Sequence, residues 1–135
     1  NLIAAIGSVS GYMLQSTSSV SESECTPSHS IPLIKLHGTT DYYDGEGVYN
    51  SVDSVLNFWV SFNNTNTDPI INNIDDNGTS ITSYKYENGD NNVSVEHYKI
   101  IGGEHVWFNN DFNGKNTGQL IWDFVSKYDI DVLIE

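Results

Sequence analysis

The sequence is poor in basic residues, in cysteine and in long apolar runs. Five lysines and arginines face 18 aspartates and glutamates, which gives a formal net charge of −13 over 135 residues. Nucleic acids and anionic membranes carry charge of the same sign, so we expect neither as a partner. A single cysteine, Cys25, excludes an internal disulfide. No apolar run approaches the ~18 residues that a membrane-spanning helix needs.

The length and the aromatic content are sufficient for one domain with a core. Hydrophobic residues make up 38% of the chain and aromatic residues 12%, which excludes a disordered acidic tail. The sequence begins directly on an apolar run and without a methionine. We therefore expect residues 1–135 to be a single partial domain, cut from a longer protein.

Apolar runs and periodic stretches predict the order of strands and helices. Residues 2–9 and 31–38 are short apolar runs typical of buried strands. Residues 51–63, with Ser51 as the N-cap, and residues 116–128 have the periodicity of amphipathic helices. Trp59 and Trp122 lie in these two helices and are expected in the core.

The remaining elements complete an α/β pattern. Residues 81–101 predict a hairpin, and residues 72–80 are typical of a turn. Buried strands alternating with helices favour an α/β fold, with a mostly parallel sheet flanked by helices. Such a sheet would leave one edge open, so a homodimer through that edge is a further expectation.

An acid and a histidine follow two of the predicted strands. Asp41 lies just after the second strand and His105 just after the last strand, 105 − 41 = 64 residues later. Because functional residues gather at the carboxyl ends of strands, we expect the two side chains to meet. Gly38, Gly102 and Gly103 would let the chain turn sharply beside them.

The nucleophile of a hydrolytic triad is not evident. An acid that precedes the histidine fits the chain order nucleophile, acid, histidine. The sequence has no G-x-S-x-G motif, and the similar "GSVSG" at residues 7–11 has valine at its centre. We therefore expect the serine to lie before Asn1.

Four stretches occur in an order that is informative: "IAAIGSVSGYM", "LHGTTD", "VLNFWVSFNN" and "YKIIGGEHVWF", followed by "LIWDFVSKY". Together they resemble the C-terminal half of the secreted esterases grouped with polyhydroxybutyrate depolymerases and feruloyl or acetylxylan esterases, which are α/β-hydrolases. The resemblance implies that Asp41 is the catalytic acid and His105 the general base. Trp107 and Tyr42 become candidates for the substrate pocket.

The resemblance also implies a reaction and its partners. The intact enzyme would be a carboxylic ester hydrolase with a Ser-His-Asp triad, without a metal or an organic cofactor. Its partners would be an ester substrate and the N-terminal half of the same enzyme, and it would be secreted or periplasmic in a bacterium. This chain would be inactive alone.

Several alternatives stay open. Asp44 is a rival for the acid, and His37 is expected to be a packing residue at the end of a strand. The alternative function is a small acidic binding module, either stabilised by calcium or specific for carbohydrate. The loop at residues 109–114, "NNDFNG", has oxygen-bearing side chains and a glycine, as in calcium loops.

Overall fold

The computed structural model describes residues 3–15 and 25–130, and the backbone of residues 132–133. The main elements, in chain order, are β1 (Ile6–Val9), β2 (Leu33–Gly38), α1 (Val52–Phe62), β3 (Ile70–Asp76), β4 (Thr79–Tyr86), β5 (Val95–Ile100) and α2 (Thr117–Val125). The five strands form one sheet in the order β1-β2-β5-β4-β3. A separate two-stranded sheet pairs β6 (Tyr128–Asp129) with β7 (Val132–Leu133).

The large sheet is mixed rather than mostly parallel. β1 pairs with β2, and β2 with β5, in parallel. β5 pairs with β4, and β4 with β3, in antiparallel register. The described part of the chain contains only two α-helices. The predicted fold class, half of an α/β-hydrolase with a mostly parallel sheet flanked by helices, is therefore wrong.

The error arises in the segment between α1 and β5. The sequence predicts a turn over residues 72–80, but these residues form most of β3 and the start of β4. Asn77 and Gly78 join the two strands with φ angles of 49° and 92°. Two positive φ angles are typical of a type I′ hairpin turn, for which Asn-Gly is a preferred pair. β3 is an edge strand, and Ile74 is its one buried residue. Its sequence therefore shows little of the alternation of apolar and polar residues by which a strand is predicted.

The core lies on both faces of β2, all six of whose residues are buried. Side chains alternate between the two faces of a strand. Leu33 therefore packs with the residues of α1, whereas Ile34 and Leu36 pack with Leu120 and Phe124 of α2. A strand buried on both sides reads as a continuous apolar run, as the sequence of β2 does.

The two predicted helices are confirmed. Ser51 caps α1 by accepting a hydrogen bond from Ser54 N at 3.1 Å, and Trp59 on its apolar stripe is buried. Asn116 begins α2 with a capping box. Trp122 is 67% exposed, so its predicted place in the core is wrong. Within the described ranges, no helix is both long and apolar enough to cross a membrane.

Candidate functional site

The loops that follow β2 and β5 are held together by hydrogen bonds. β2 and β5 are parallel neighbours, so their carboxyl ends lie side by side. Thr39 N donates to Ile100 O at 3.0 Å, and Thr40 N donates to Gly103 O at 2.9 Å. In the opposite direction, Gly102 N donates to Thr39 Oγ1 at 2.8 Å. These bonds determine where the acid and histidine candidates lie.

Three glycines allow this close contact, but for different reasons. Gly102 has a φ of +75°, as the predicted sharp turn requires. Gly38 and Gly103 instead bring two backbones together. A Cβ atom on Gly38 would lie 2.1 Å from Gly103 O, so only glycine fits there.

Asp41 and His105 meet at this junction, as their positions in the sequence predict. His105 Nδ1 lies 3.0 Å from Asp41 Oδ2. The Asp41 carboxylate is buried, whereas the His105 side chain is 49% exposed. When Nδ1 donates to the carboxylate, Nε2 carries the lone pair that a general base needs. No residue in the described part of the chain hydrogen-bonds to that Nε2 atom.

Three further polar groups surround the Asp41 carboxylate. Tyr43 N donates to Oδ1 at 3.1 Å, and His37 Nε2 lies 2.9 Å from Oδ2. The Tyr12 hydroxyl hydrogen-bonds to Asp41 as well and lies 2.9 Å from His37 Nε2. His105, Tyr43 and Tyr12 thus hydrogen-bond to the carboxylate, and His37 Nε2 lies within ion-pair distance of it.

These donors keep Asp41 ionised although it is buried. Burial alone would raise its pKa, but the hydrogen bonds from Tyr43, Tyr12 and His105 outweigh burial and lower the pKa of Asp41 below its ordinary value. Burial also lowers the pKa of His37 to about 4, so this ring is neutral at pH 7. The Asp41 carboxylate therefore lies beside a neutral His37 ring.

The tautomer of His37 follows from its surroundings. His37 Nδ1 is buried and has no hydrogen-bond partner in the described chain. A buried N–H without an acceptor is rare in folded proteins, so the ring proton belongs on Nε2, where the Tyr12 hydroxyl accepts it at 2.9 Å. The sequence predicts His37 to be a packing residue, and this prediction misses its contact with the acid. Its position four residues before Asp41 is the signal that could have indicated the contact.

The rival acid does not reach the histidine. Asp44 is exposed, and its Oδ1 atom accepts a hydrogen bond from Val52 N at 2.8 Å, at the start of α1. Of the two carboxylates considered from the sequence, Asp41 thus contacts His105, whereas Asp44 hydrogen-bonds to the first residue of α1.

The candidate pocket residues are both exposed, Tyr42 at 78% and Trp107 at 58%. Tyr42 contacts His105 only through Tyr43, with ring centres 5.4 Å apart between the tyrosines and 5.2 Å apart between Tyr43 and His105. Tyr12 lies parallel to His105 with ring centres at 6.1 Å. The rings nearest the histidine are therefore those of Tyr12 and Tyr43, which the sequence does not single out.

The second serine of "GSVSG", Ser10, directly follows β1 and hydrogen-bonds to the histidine loop. Ser10 is buried and has a φ of 52°. Its Oγ atom donates to Val106 O at 2.9 Å. This hydroxyl is therefore engaged by the residue next to His105, rather than by the imidazole itself.

The acid of the loop at residues 109–114 is engaged within the loop, and two loop groups donate to Asp76 of β3. Asp111 Oδ1 accepts a hydrogen bond from Gly114 N. Asp76 Oδ2 accepts from Asn110 Nδ2 at 2.9 Å and from Asp111 N at 3.2 Å. Among residues 3–15 and 25–130, no group of three or more His, Cys, Asp or Glu side chains is placed to hold a metal ion.

The function has to be inferred from this geometry, because no protein-family model and no curated protein matches the sequence. The geometry provides an ionised, buried acid and a half-exposed histidine that is oriented by it. These are two of the three parts of a nucleophile–base–acid arrangement.

Proposed function

We propose that this chain supplies the acid and the general base of a serine hydrolase that cleaves carboxylic esters. The observation that carries the proposal is the 3.0 Å hydrogen bond between His105 Nδ1 and Asp41 Oδ2. The four sequence stretches that resemble polyhydroxybutyrate depolymerases and feruloyl or acetylxylan esterases support the same chemistry. The proposal concerns the catalytic group and does not depend on the overall fold of those enzymes.

In this mechanism His105 Nε2 takes the proton from a serine hydroxyl as its oxygen attacks the ester carbonyl. The imidazolium then gives that proton to the leaving alcohol, and an acyl-enzyme remains. A water molecule then attacks the acyl carbonyl while His105 Nε2 takes its proton, and the imidazolium returns that proton to the serine oxygen as the acyl C–O bond breaks and the carboxylic acid leaves. Asp41 keeps the Nδ1–H tautomer and stabilises the imidazolium without itself being protonated.

The serine and the oxyanion donors would come from polypeptide beyond these 135 residues. Two observations support this part of the proposal. In the described chain no hydroxyl is bonded to His105 Nε2, and Ser10 Oγ is engaged by Val106 O. On this proposal, the purified 135-residue chain is expected to show no esterase turnover.

A serine-reactive fluorophosphonate tests the proposal. The unfractionated preparation is treated with the probe, and each polypeptide is then weighed intact. An adduct on a second polypeptide that co-purifies with this chain is the expected result. An adduct on the 135-residue chain would contradict the expected location of the serine. A preparation that contains only this chain and stays unmodified would favour the acidic binding module instead.

A matched pair of variants tests the role of Asp41. Asp41→Asn is expected to slow labelling of the assembled protein by about 10⁴-fold, because the amide stabilises the wrong tautomer of His105. Asp44→Asn makes the same change of charge three residues away and should leave the rate close to that of the wild type. Equal rates in the two variants would contradict a catalytic role for the Asp41–His105 pair.

A further inference from the structure

Lys35 is a buried ammonium group that the proposed hydrolase chemistry does not use. It lies in the middle of β2, on the same face as Leu33 and therefore under α1, and it is 1% exposed. Its ammonium group donates to Gly11 O and lies 5.8 Å from the centre of the Tyr12 ring. No carboxylate of residues 3–15 and 25–130 lies within ion-pair distance of it.

A buried ammonium group without a counter-ion is unfavourable, because it has lost its hydration. Burial lowers the pKa of Lys35 to about 8, although Asp44 and Asp41 act in the opposite direction from a distance. Most molecules therefore still carry the charge at neutral pH. An ammonium group has three donors, and the described chain occupies one of them. Among the described residues, the group thus has no anionic partner within ion-pair distance.

Lys35 lines a cavity of about 170 Å³. Its walls are largely apolar and come from β1, β2, α1 and the segment after β1. The lining includes Ile6, Met13, Leu33, Val55 and Trp59. Tyr12, which hydrogen-bonds to Asp41, lines it too. The cavity therefore combines one buried cation with an apolar surface.

We propose that this cavity binds a small monocarboxylate. The carboxylate pairs with Lys35 Nζ, and a short apolar tail packs against Val55 and Trp59. At about 30 Å³ for a water-sized group, 170 Å³ has room for about six non-hydrogen atoms, which is the size of a four-carbon acid.

A phosphate or a dicarboxylate fits this cavity less well. A single ammonium group neutralises a single negative charge, and the chain already carries a net charge of −13, which repels multiply charged anions. The proposal does not depend on the proposed hydrolase, because it needs neither the serine nor His105.

The single methionine of the sequence makes the cavity easy to observe. Met13 lines the cavity and is the only methionine, so protein labelled with methyl-¹³C methionine gives one methyl signal. Isobutyrate is titrated against isobutyramide, which has the same shape without the charge. We expect a saturable shift of the Met13 signal with isobutyrate and about tenfold or more weaker binding of isobutyramide. Equal affinities, or no shift with either compound, would overturn the proposal.

Two lysine variants complete the test. Lys35→Met removes the buried ammonium group and is expected to abolish the response to isobutyrate. Lys115→Met removes an exposed lysine that pairs with Asp123, and it should respond like the wild type. An unchanged response in Lys35→Met would also overturn the proposal. If Lys35→Met does not fold, the comparison of isobutyrate with isobutyramide in the wild-type protein decides whether the proposal stands.

Discussion

Replacement of Gly38 by alanine tests whether the contact between the two loops positions His105. The new Cβ atom would lie 2.1 Å from Gly103 O and 2.7 Å from Gly103 Cα. Contacts of a real Cβ atom below 3.0 Å essentially do not occur, so the carbonyl oxygen has to move by at least 3.0 − 2.1 = 0.9 Å. Both obstacles are backbone atoms, and no side chain can rotate away to relieve the overlap.

This displacement would reach the site because His105 follows Gly103 by two residues. A shift of 0.9 Å away from Asp41 would lengthen the 3.0 Å hydrogen bond to 3.0 + 0.9 = 3.9 Å, outside the range of about 2.7–3.2 Å for such bonds. A misplacement of about 1 Å costs about 10²-fold in rate when it affects a reacting group. Overpacking of this kind also destabilises the fold by about 3 kcal/mol.

The assay compares Gly38→Ala with Gly118→Ala. Gly118 lies in the first turn of α2, where the nearest atom to a new Cβ would be Asn116 Oδ1 at 3.4 Å. Alanine there is expected to leave stability unchanged or raise it by up to about 1 kcal/mol. Urea unfolding measures both effects, and two-bond ¹H–¹⁵N correlations of His105 report whether Nδ1 keeps its proton. A Gly38→Ala protein with wild-type stability and an unchanged His105 tautomer would refute the reasoning.

Two other predictions concern stability. Burial lowers the pKa of His37 and His97 to about 4 from 6.5. As the pH falls, the unfolded chain therefore takes up protons before the folded chain does. The stability that the neutral rings contribute is complete above pH 6.5 and is lost as the pH falls towards 4. For His97 alone the loss of stability is up to about 3 kcal/mol, from a shift of 2.5 pH units at about 1.36 kcal/mol each. Urea unfolding at a series of pH values should show this loss. The His97→Gln variant should show a smaller loss. Asn63→Ala is expected to cost about 3 kcal/mol, because the buried amide of Asn63 accepts from Ile31 N at 2.8 Å and donates to Ile31 O at 2.7 Å. The exposed Asn57→Ala serves as its control in thermal unfolding, and equal melting temperatures for the two variants would contradict the prediction.

The elements that the sequence predicts well are those with strong local signals. The helix at α1 combines an N-cap at Ser51 with an apolar stripe that includes Val55 and Trp59, and both features are present in the structure. β2 reads as a continuous apolar run and is the strand buried on both faces. β3 was missed because its residues are largely exposed, and the Asn-Gly pair at its end is the signal that indicates it.

The fold class was wrong for a related reason. The predicted hairpin at residues 81–101 is present as the antiparallel pair of β4 and β5. The addition of β3 gives the sheet two antiparallel pairs beside its two parallel ones. An exposed edge strand carries little apolar periodicity, so a pattern based on hydrophobicity undercounts such strands.

The sequence by itself determined that Asp41 and His105 follow two strands and are therefore placed to meet. It did so because strand patterns and glycines are local features that a chain carries wherever it folds. Only the tertiary structure decided that Tyr12 hydrogen-bonds to Asp41 with His37 close beside the carboxylate, and that Lys35 is buried at a cavity without a carboxylate partner among the described residues. These properties depend on distances between residues far apart in the chain and on burial, neither of which a linear pattern encodes.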